Sequence, residues 1–266
     1  MLEYLRTRLA QGKQTSPFPK GDVAFPERFR GRPVLDCDGC GGAPCAECRD
    51  DAVSGLVRQD ETGHAVLDLG ACLFAPEEAV GRPGCGVRFT HDHRLASRTR
   101  DGLVNAGGEA HLATALQEQM RKLFGRSLRL RSVVAGSCSG CEAELNALGN
   151  VVFDMGRFGV QFVASPRHAD GIVITGVVNT NMREALERTY AAVPDPRLVI
   201  AVGACASSGG PFRGSPEIVG LPDGMQVDLW IPGCPPHPFT ILDGLLRLLG
   251  RLTSAENAPH PHDNPV

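Results

Sequence analysis

Short apolar runs alternate with amphipathic segments throughout the second half of the chain. Apolar runs of strand length lie at 128–135, 160–164, 171–178, 198–202 and 227–231. Segments with helical spacing lie at 142–151, 181–192 and 238–252, and the last begins with a proline, as many helices do. Strands that alternate with helices predict an α/β fold with a parallel sheet and helices on both faces.

The first half of the chain lacks this regular alternation. A short amphipathic start is followed by a stretch rich in Pro and Gly, and Ala, Leu and charged residues from 109 to 124 predict a connecting helix. The last residues are rich in Pro and His, which is typical of an untethered end. We therefore expect a small domain at 1–105, a helical linker at 106–127, the α/β domain at 128–252 and a disordered tail at 253–266.

Cysteine is the unusual part of the composition. The 266 residues include 10 cysteines, and 27 basic against 30 acidic residues give no positive field for nucleic acid. No apolar run approaches the ~18 residues that cross a bilayer, and the N-terminal residues do not resemble a signal peptide. These features predict a cytoplasmic protein. Because disulfides are rare there, the cysteines are expected to bind metal.

Four cysteines follow predicted strands closely. Cys138 and Cys141 come after the run at 128–135, Cys205 follows the run at 198–202, and Cys234 follows the run at 227–231. Because ligands gather at the carboxyl edge of parallel sheets, we expect the four thiols to lie together. Four thiolates suit a [4Fe–4S] cluster or zinc, and the alternative without metal is four buried apolar cysteines.

The motifs around these cysteines resemble a known family. GSCSGCEAEL, RFGVQFVASPRHADGIVITG, GACASSGG and WIPGCPPHP occur in this order. They are similar to the small iron–sulfur subunit, the 20 kDa or B subunit, of the complex I and membrane-bound [NiFe]-hydrogenase superfamily. The resemblance implies a flavodoxin-like domain with a [4Fe–4S] cluster on Cys138, Cys141, Cys205 and Cys234. Complex I proper has two adjacent cysteines in the first motif, so the spaced pair here resembles the hydrogenase branch, notably formate hydrogenlyase.

The resemblance also implies a function and partners. The chain would pass electrons to or from a catalytic large subunit, of the [NiFe]-hydrogenase or the complex I 49 kDa type. Other iron–sulfur and membrane subunits would hold it on the inner face of the cell membrane. Glu144 is implied in proton transfer at the large-subunit interface. Alternatives are a complex I-like quinone oxidoreductase subunit, a zinc-stapled structural adaptor and a flavin-binding protein.

The cysteines of the first third resemble a bacterial ferredoxin that has lost ligands. Cys37, Cys40, Cys45 and Cys48 form an irregular first half-motif, whereas the second half retains Cys72 alone. A small α+β ferredoxin-like domain is therefore expected, with one further metal centre at most, either a cluster or zinc. Its fourth ligand would be Cys48, which closes the smaller loop, or Cys85. The other three ligand positions of the second half hold Ala75, Glu78 and Arg82.

Overall fold

The computed structural model describes most of the chain. Its described residues are 2–21, 23–36, 55–61, 63–78, 81–82, 85–105, 112–124, 127–136 and 138–252. The predicted N-terminal quartet Cys37–Cys48 and the predicted disordered tail lie outside these residues. No helix in the described ranges is long and apolar enough to cross a membrane.

Six short strands form two antiparallel sheets in the N-terminal part. The first sheet has β1 (Pro33–Asp36), β4 (Gly81–Arg82) and β5 (Cys85–Phe89) in the order β1-β5-β4. The second has β2 (Val57–Gln59), β3 (Ala65–Asp68) and β6 (Val104–Asn105) in the order β2-β3-β6. Together they bury a small core that includes Leu56, Leu67, Leu69, Cys72, Val87 and Leu103. A helix, α1 (Leu2–Gln11), precedes them and buries none of its residues.

The predicted linker helix is mostly wrong. Within the described part of the expected helix, 112–124, only Glu118–Phe124 is helical, and we name it α2. The residues at 112–117 are not helical, and two of their amides bond to distant carbonyls. The Ala113 N–H donates to the carbonyl of Ala96 at 2.7 Å, and the Leu116 N–H donates to that of Leu248 at 2.9 Å. Ala113 and Leu116 are buried against the second half of the chain, so tertiary contacts override the local helix propensity there.

The second half forms the predicted α/β unit. Its strands are β7 (Leu128–Val134), β8 (Val160–Phe162), β9 (Gly171–Thr175), β10 (Leu198–Val202) and β11 (Leu229–Ile231). They form a parallel sheet in the order β11-β10-β9-β7-β8, which is the flavodoxin-like order. The helices are α3 (Gly140–Ala147), α4 (Thr180–Ala191), α5 (Ala204–Ser208) and α6 (Pro238–Leu248). The sequence did not predict α5, which is only five residues long.

Helices cover both faces of this sheet, as predicted. In β9, Ile172 and Ile174 pack on one face in the same buried cluster as Leu186 of α4. Val173 points to the other face and shares a buried cluster with Leu145 of α3 and the apolar residues of α6. β9 is therefore buried on both sides, as β10 is, which explains why the sequence of each is an apolar run and not an alternating pattern.

Several predicted elements end early for local reasons. The strand expected at 171–178 stops at Thr175 because Gly176 adopts a positive φ of 78° and turns the chain. The Val177 N–H then donates to the carbonyl of Gly136 at 2.7 Å, in the loop that follows β7. The helix expected at 142–151 ends at Ala147, and the helix expected at 238–252 ends at Leu248.

The N-terminal part packs directly on the α/β unit. Ser97 pairs antiparallel with Trp230 of β11 through two backbone hydrogen bonds, of 2.9 and 2.8 Å. Arg157 donates hydrogen bonds to the carbonyls of Ser16 and Phe18, at 2.9 and 2.7 Å. Phe18 is itself part of the core beneath α3 and α6. The segment around Phe18 therefore adds to the α/β core.

Candidate metal centre

Each of the four predicted cluster ligands lies just beyond the carboxyl end of a strand. Cys138 follows β7 and is exposed, and Cys141 is buried in the first turn of α3. Cys205 is half-buried in α5, directly after β10, and Cys234 is half-buried in the loop after β11. None of the four forms a disulfide. The topology of the sheet therefore places these residues on the same edge, as the sequence predicted.

Hydrogen bonds hold the Cys205 and Cys234 loops side by side. The Gly203 N–H donates to the carbonyl of Ile231, and the Ala204 N–H donates to that of Gly233, both at 2.8 Å. These bonds continue the β10–β11 pairing beyond the strand ends. They fix α5 against the loop that carries Cys234.

Glycines leave room for the thiols. A Cβ built on Gly203 would lie 2.6 Å from the Sγ of Cys141, closer than packing permits, and Gly203 has a φ of 93°. A Cβ on Gly210 would lie 2.9 Å from the Sγ of Cys205. A Cβ on Gly140 would lie 3.5 Å from the Sγ of Cys138 and within 4 Å of Pro235. The backbone therefore makes a cradle that only small residues permit, and this cradle fits a bulky cluster.

The thiols interact electrostatically. Burial is the main cause that raises the pKa of Cys141 to about 12, and the charges of the other three thiols add to it. Burial and the charges of Cys234 and Cys138 raise the pKa of Cys205 to about 11. Burial and Cys138 also raise the pKa of Cys234. Because Cys141, Cys205 and Cys234 resist ionisation, they need a cationic centre before they become thiolates, and binding of that centre releases protons.

A single metal ion and an iron–sulfur cluster place different demands on four thiols. Among the residues that the structure describes, no three His, Cys, Asp or Glu side chains are close enough to bind one metal ion. Zinc holds its four sulfurs at about 2.3 Å from a single centre, so they must lie close together. A four-iron cluster binds each thiolate through a different iron, so its thiolates lie further apart.

A cavity adjoins Cys234. Its volume is about 270 Å³, and Glu144 and His237 line it together with Cys234. Burial raises the pKa of Glu144, and burial followed by the charge of His93 lowers the pKa of His237 to about 4. The structure thus brings Glu144 to the same cavity as one predicted cluster ligand.

Sequence reasoning missed the contribution of the N-terminal part to this cavity. Five of its lining residues come from the N-terminal part: Arg28, Phe29, Arg30, Phe74 and Leu95. No motif marks these residues, because their role depends on how the N-terminal part folds over the sheet edge. Cys72 lies nearby and donates a hydrogen bond from Sγ to the carboxylate of Glu78 at 3.3 Å.

Comparison with known proteins identifies the family. The profile of the family described as "NADH ubiquinone oxidoreductase, 20 Kd subunit" matches residues 138–248, the stretch that carries all four cysteines. A probable membrane-bound hydrogenase subunit of Pyrococcus furiosus is 42% identical over 135 residues, which are 50% of this chain and 81% of that protein. The chain belongs to this 20 kDa subunit family. Like the family's other members, it is a subunit of an oxidoreductase.

Relatives in the 20 kDa subunit family come from both of its branches. Formate hydrogenlyase subunit 7 of Escherichia coli is 39% identical over 190 residues, 71% of this chain and 66% of that protein. The B subunit of the NADH-quinone oxidoreductase of Citrifermentans bemidjiense is 42% identical over 118 residues, 44% of this chain and 69% of that protein. The similarity confirms the predicted family and fold class of the α/β unit. The ferredoxin-like nature of the N-terminal part stays a prediction.

Proposed function

We propose that this protein is an electron-transfer subunit that carries a [4Fe–4S] cluster on Cys138, Cys141, Cys205 and Cys234. The observation that supports this most strongly is the convergence of these thiols within a glycine cradle at one edge of the sheet. A bound cluster supplies one-electron redox chemistry. The chain positions the cluster, buries part of it and surrounds it with hydrogen-bond donors, which together tune its potential.

The spaced Cys138–Cys141 pair favours the hydrogenase branch. We propose a membrane-associated hydrogenase or formate-hydrogenlyase-like complex, in which the cluster exchanges electrons with a catalytic large subunit. Cys138 is exposed, so the partner would cover the edge of the cluster there. Other iron–sulfur and membrane subunits would hold the protein peripherally at the inner face of the cell membrane. The second candidate is a quinone-reducing complex, since the B subunit of an NADH-quinone oxidoreductase is an equally similar relative.

Glu144 is proposed to hold or move a proton beside the cluster. It is partly buried in α3, and burial raises its pKa above the ordinary value of a glutamate. Glu142, on the same helix, serves as a control. In the assembled complex we expect Glu144→Gln to slow turnover and to change its pH profile, and Glu142→Gln to change neither. If the two variants behave alike, Glu144 has no special role.

Cysteine variants test the cluster assignment. Anaerobically purified protein should be brown and show a reducible [4Fe–4S] signal by EPR. Cys205→Ser and Cys234→Ser should each remove this signal and about four irons per chain. Cys72→Ala is the matched control, because Cys72 is also buried and free but lies outside the set of four. An unchanged signal and iron content in either Ser variant would refute the assignment. A colourless protein that contains zinc would favour the structural adaptor.

A further inference from the structure

The carboxylate of Glu78 is buried within its own loop. It is 1% exposed and accepts hydrogen bonds from the Leu73 N–H, at 2.9 and 3.1 Å to its two oxygens. It also accepts from the Ala75 N–H at 3.2 Å and from the Sγ of Cys72 at 3.3 Å. Three donors therefore converge on this one carboxylate. The loop therefore holds a negative charge in the protein interior.

The backbone of this loop is shaped around the carboxylate. Phe74 has a positive φ of 54°, a left-handed conformation that is uncommon for a bulky residue. Its N–H donates to the Sγ of Cys72 at 3.3 Å, and Arg30 donates to its carbonyl. The turn directs the amides of Leu73 and Ala75 towards Glu78, as in the concave backbone nests that bind anions. Backbone amides therefore fix the position of the Glu78 carboxylate.

The buried charge lies close to the predicted cluster. Phe74, from the same loop, lines the cavity that Cys234 also lines. The amides of Leu73 and Ala75, on either side of Phe74, donate to the Glu78 carboxylate. The carboxylate therefore lies within one short loop of a ligand of the proposed centre, in the protein interior, where a charge is screened less than at the surface.

We propose that Glu78 tunes the cluster by lowering its reduction potential. Reduction adds an electron to the cluster, and a fixed negative charge nearby disfavours that addition. The N-terminal part would in this way set the potential of a cluster whose ligands all come from the α/β unit. Glu78 would act on the cluster through the protein interior and not as one of its four ligands. This inference rests on the proposed function, since it requires the cluster.

Two neighbouring acids allow a matched test of this proposal. Glu77 precedes Glu78 and is exposed, so Glu77→Gln removes the same formal charge from a solvated site. The midpoint potential of the cluster, measured by EPR redox titration of the full chain, should rise in Glu78→Gln and stay at the parent value in Glu77→Gln. Equal potentials in the parent and in Glu78→Gln would overturn the proposal.

A second variant separates charge from loop structure. Glu78→Asp keeps the carboxylate but shortens the side chain by one methylene. The midpoint potential of the cluster in this variant should therefore lie between those of the parent and of Glu78→Gln. If Glu78→Gln fails to assemble a cluster, Glu78→Asp alone decides. A midpoint potential above that of the parent supports the proposal, and an unchanged midpoint potential overturns it. Absence of any cluster from the parent protein would instead refute the proposed function, so the two failures are distinguishable.

Discussion

Arg100 of the N-terminal part donates a hydrogen bond from Nε to the backbone carbonyl of Ser207, at 3.0 Å. Ser207 lies in α5, the short helix that carries Cys205. The same guanidinium contacts both carboxylate oxygens of Asp68 at 2.8 Å, and Asp68 is fully buried at the end of β3. One side chain therefore connects the N-terminal sheet to the helix of a predicted cluster ligand.

Removal of this connection should destabilise the protein. Arg100→Met leaves the buried Asp68 with one fewer cation and the Ser207 carbonyl without its donor. Because hydrogen bonds to charged groups contribute roughly 1.5–3 kcal/mol each, we expect a loss of about 2–3 kcal/mol in the free energy of unfolding. Anaerobic urea denaturation measures this loss.

Arg58 provides the control for this variant. It also pairs with Asp68, at 2.6 Å, but its side chain is 44% exposed and remains solvated. Arg58→Met should therefore cost about 1 kcal/mol or less. Equal losses in the two variants would show that the bond to Ser207 contributes nothing.

The pairing of Ser97 with β11 should hold the N-terminal part in place. Ser97→Pro removes the N–H that donates to the Trp230 carbonyl, whereas Ser97→Ala keeps both backbone bonds. Trp230 is the single tryptophan of the chain and packs against the N-terminal core. Its emission should shift to longer wavelength in Ser97→Pro and remain unchanged in Ser97→Ala. Identical spectra would mean that this edge pairing is dispensable.

The α/β unit was predictable because its signals are local. Buried parallel strands need continuous apolar runs, and cysteines after such runs must meet at one sheet edge, whatever the rest of the chain does. The run at 198–202 therefore matches β10 residue for residue. The side chain of Asn179 caps α4, since it accepts from the Met182 N–H at 2.9 Å.

The N-terminal contributions were not predictable, because they depend on distant contacts. The run of helix formers at 109–124 is not helical at Ala113 and Leu116, whose amides bond to carbonyls far along the chain. Glu78 was recognised only as a lost ligand position, since its hydrogen bonds require a left-handed turn that the sequence does not signal. Arg100 and Asp68 lie 32 positions apart, and no pattern links them.

His237 should make stability depend on pH. Its folded-state pKa is lowered to about 4 by burial and by the charge of His93, whereas an unfolded histidine titrates near 6.5. Between these values the unfolded chain binds more protons than the folded one. The contribution of His237 to the free energy of unfolding is therefore fully present above about pH 6.5 and is lost as the pH falls towards 4. Thermal unfolding across this range should show the loss.

Asparagine at this position isolates the titration. The Nδ1 atom of His237 accepts from the Phe239 N–H at the start of α6, at 3.2 Å, and Asn is itself a good helix cap. His237→Asn should therefore fold and show a weaker fall in stability between pH 6.5 and 4 than the parent. His168→Asn, at an exposed position, should keep the slope of the parent. A slope in His237→Asn equal to that of the parent would contradict this origin.

The strand register bears on the fourth ligand of the predicted N-terminal centre. In the pairing of β1 with β5, Asp36 lies opposite Gly86. Cys37 follows Asp36 in the sequence, and Cys85 precedes Gly86 as the first residue of β5. The chain therefore enters the predicted motif close to the backbone of Cys85. This proximity favours Cys85 as the fourth ligand, whereas the smaller loop favours Cys48.

Iron analysis of paired variants decides between these two ligands. With a cluster in each half, the full chain should contain about eight irons, and Cys205→Ser should lower this to about four. Two double variants, Cys205→Ser with Cys48→Ser and Cys205→Ser with Cys85→Ser, then test the remaining cluster. The double variant that lacks the true fourth ligand should lose the remaining iron, whereas the double variant that keeps it should retain about four irons. Cys72→Ala should leave eight irons, since its thiol is committed to Glu78. About four irons in the parent, with one zinc, would show that the N-terminal cysteines bind zinc. About twelve would contradict the loss of ligands in the second half-motif.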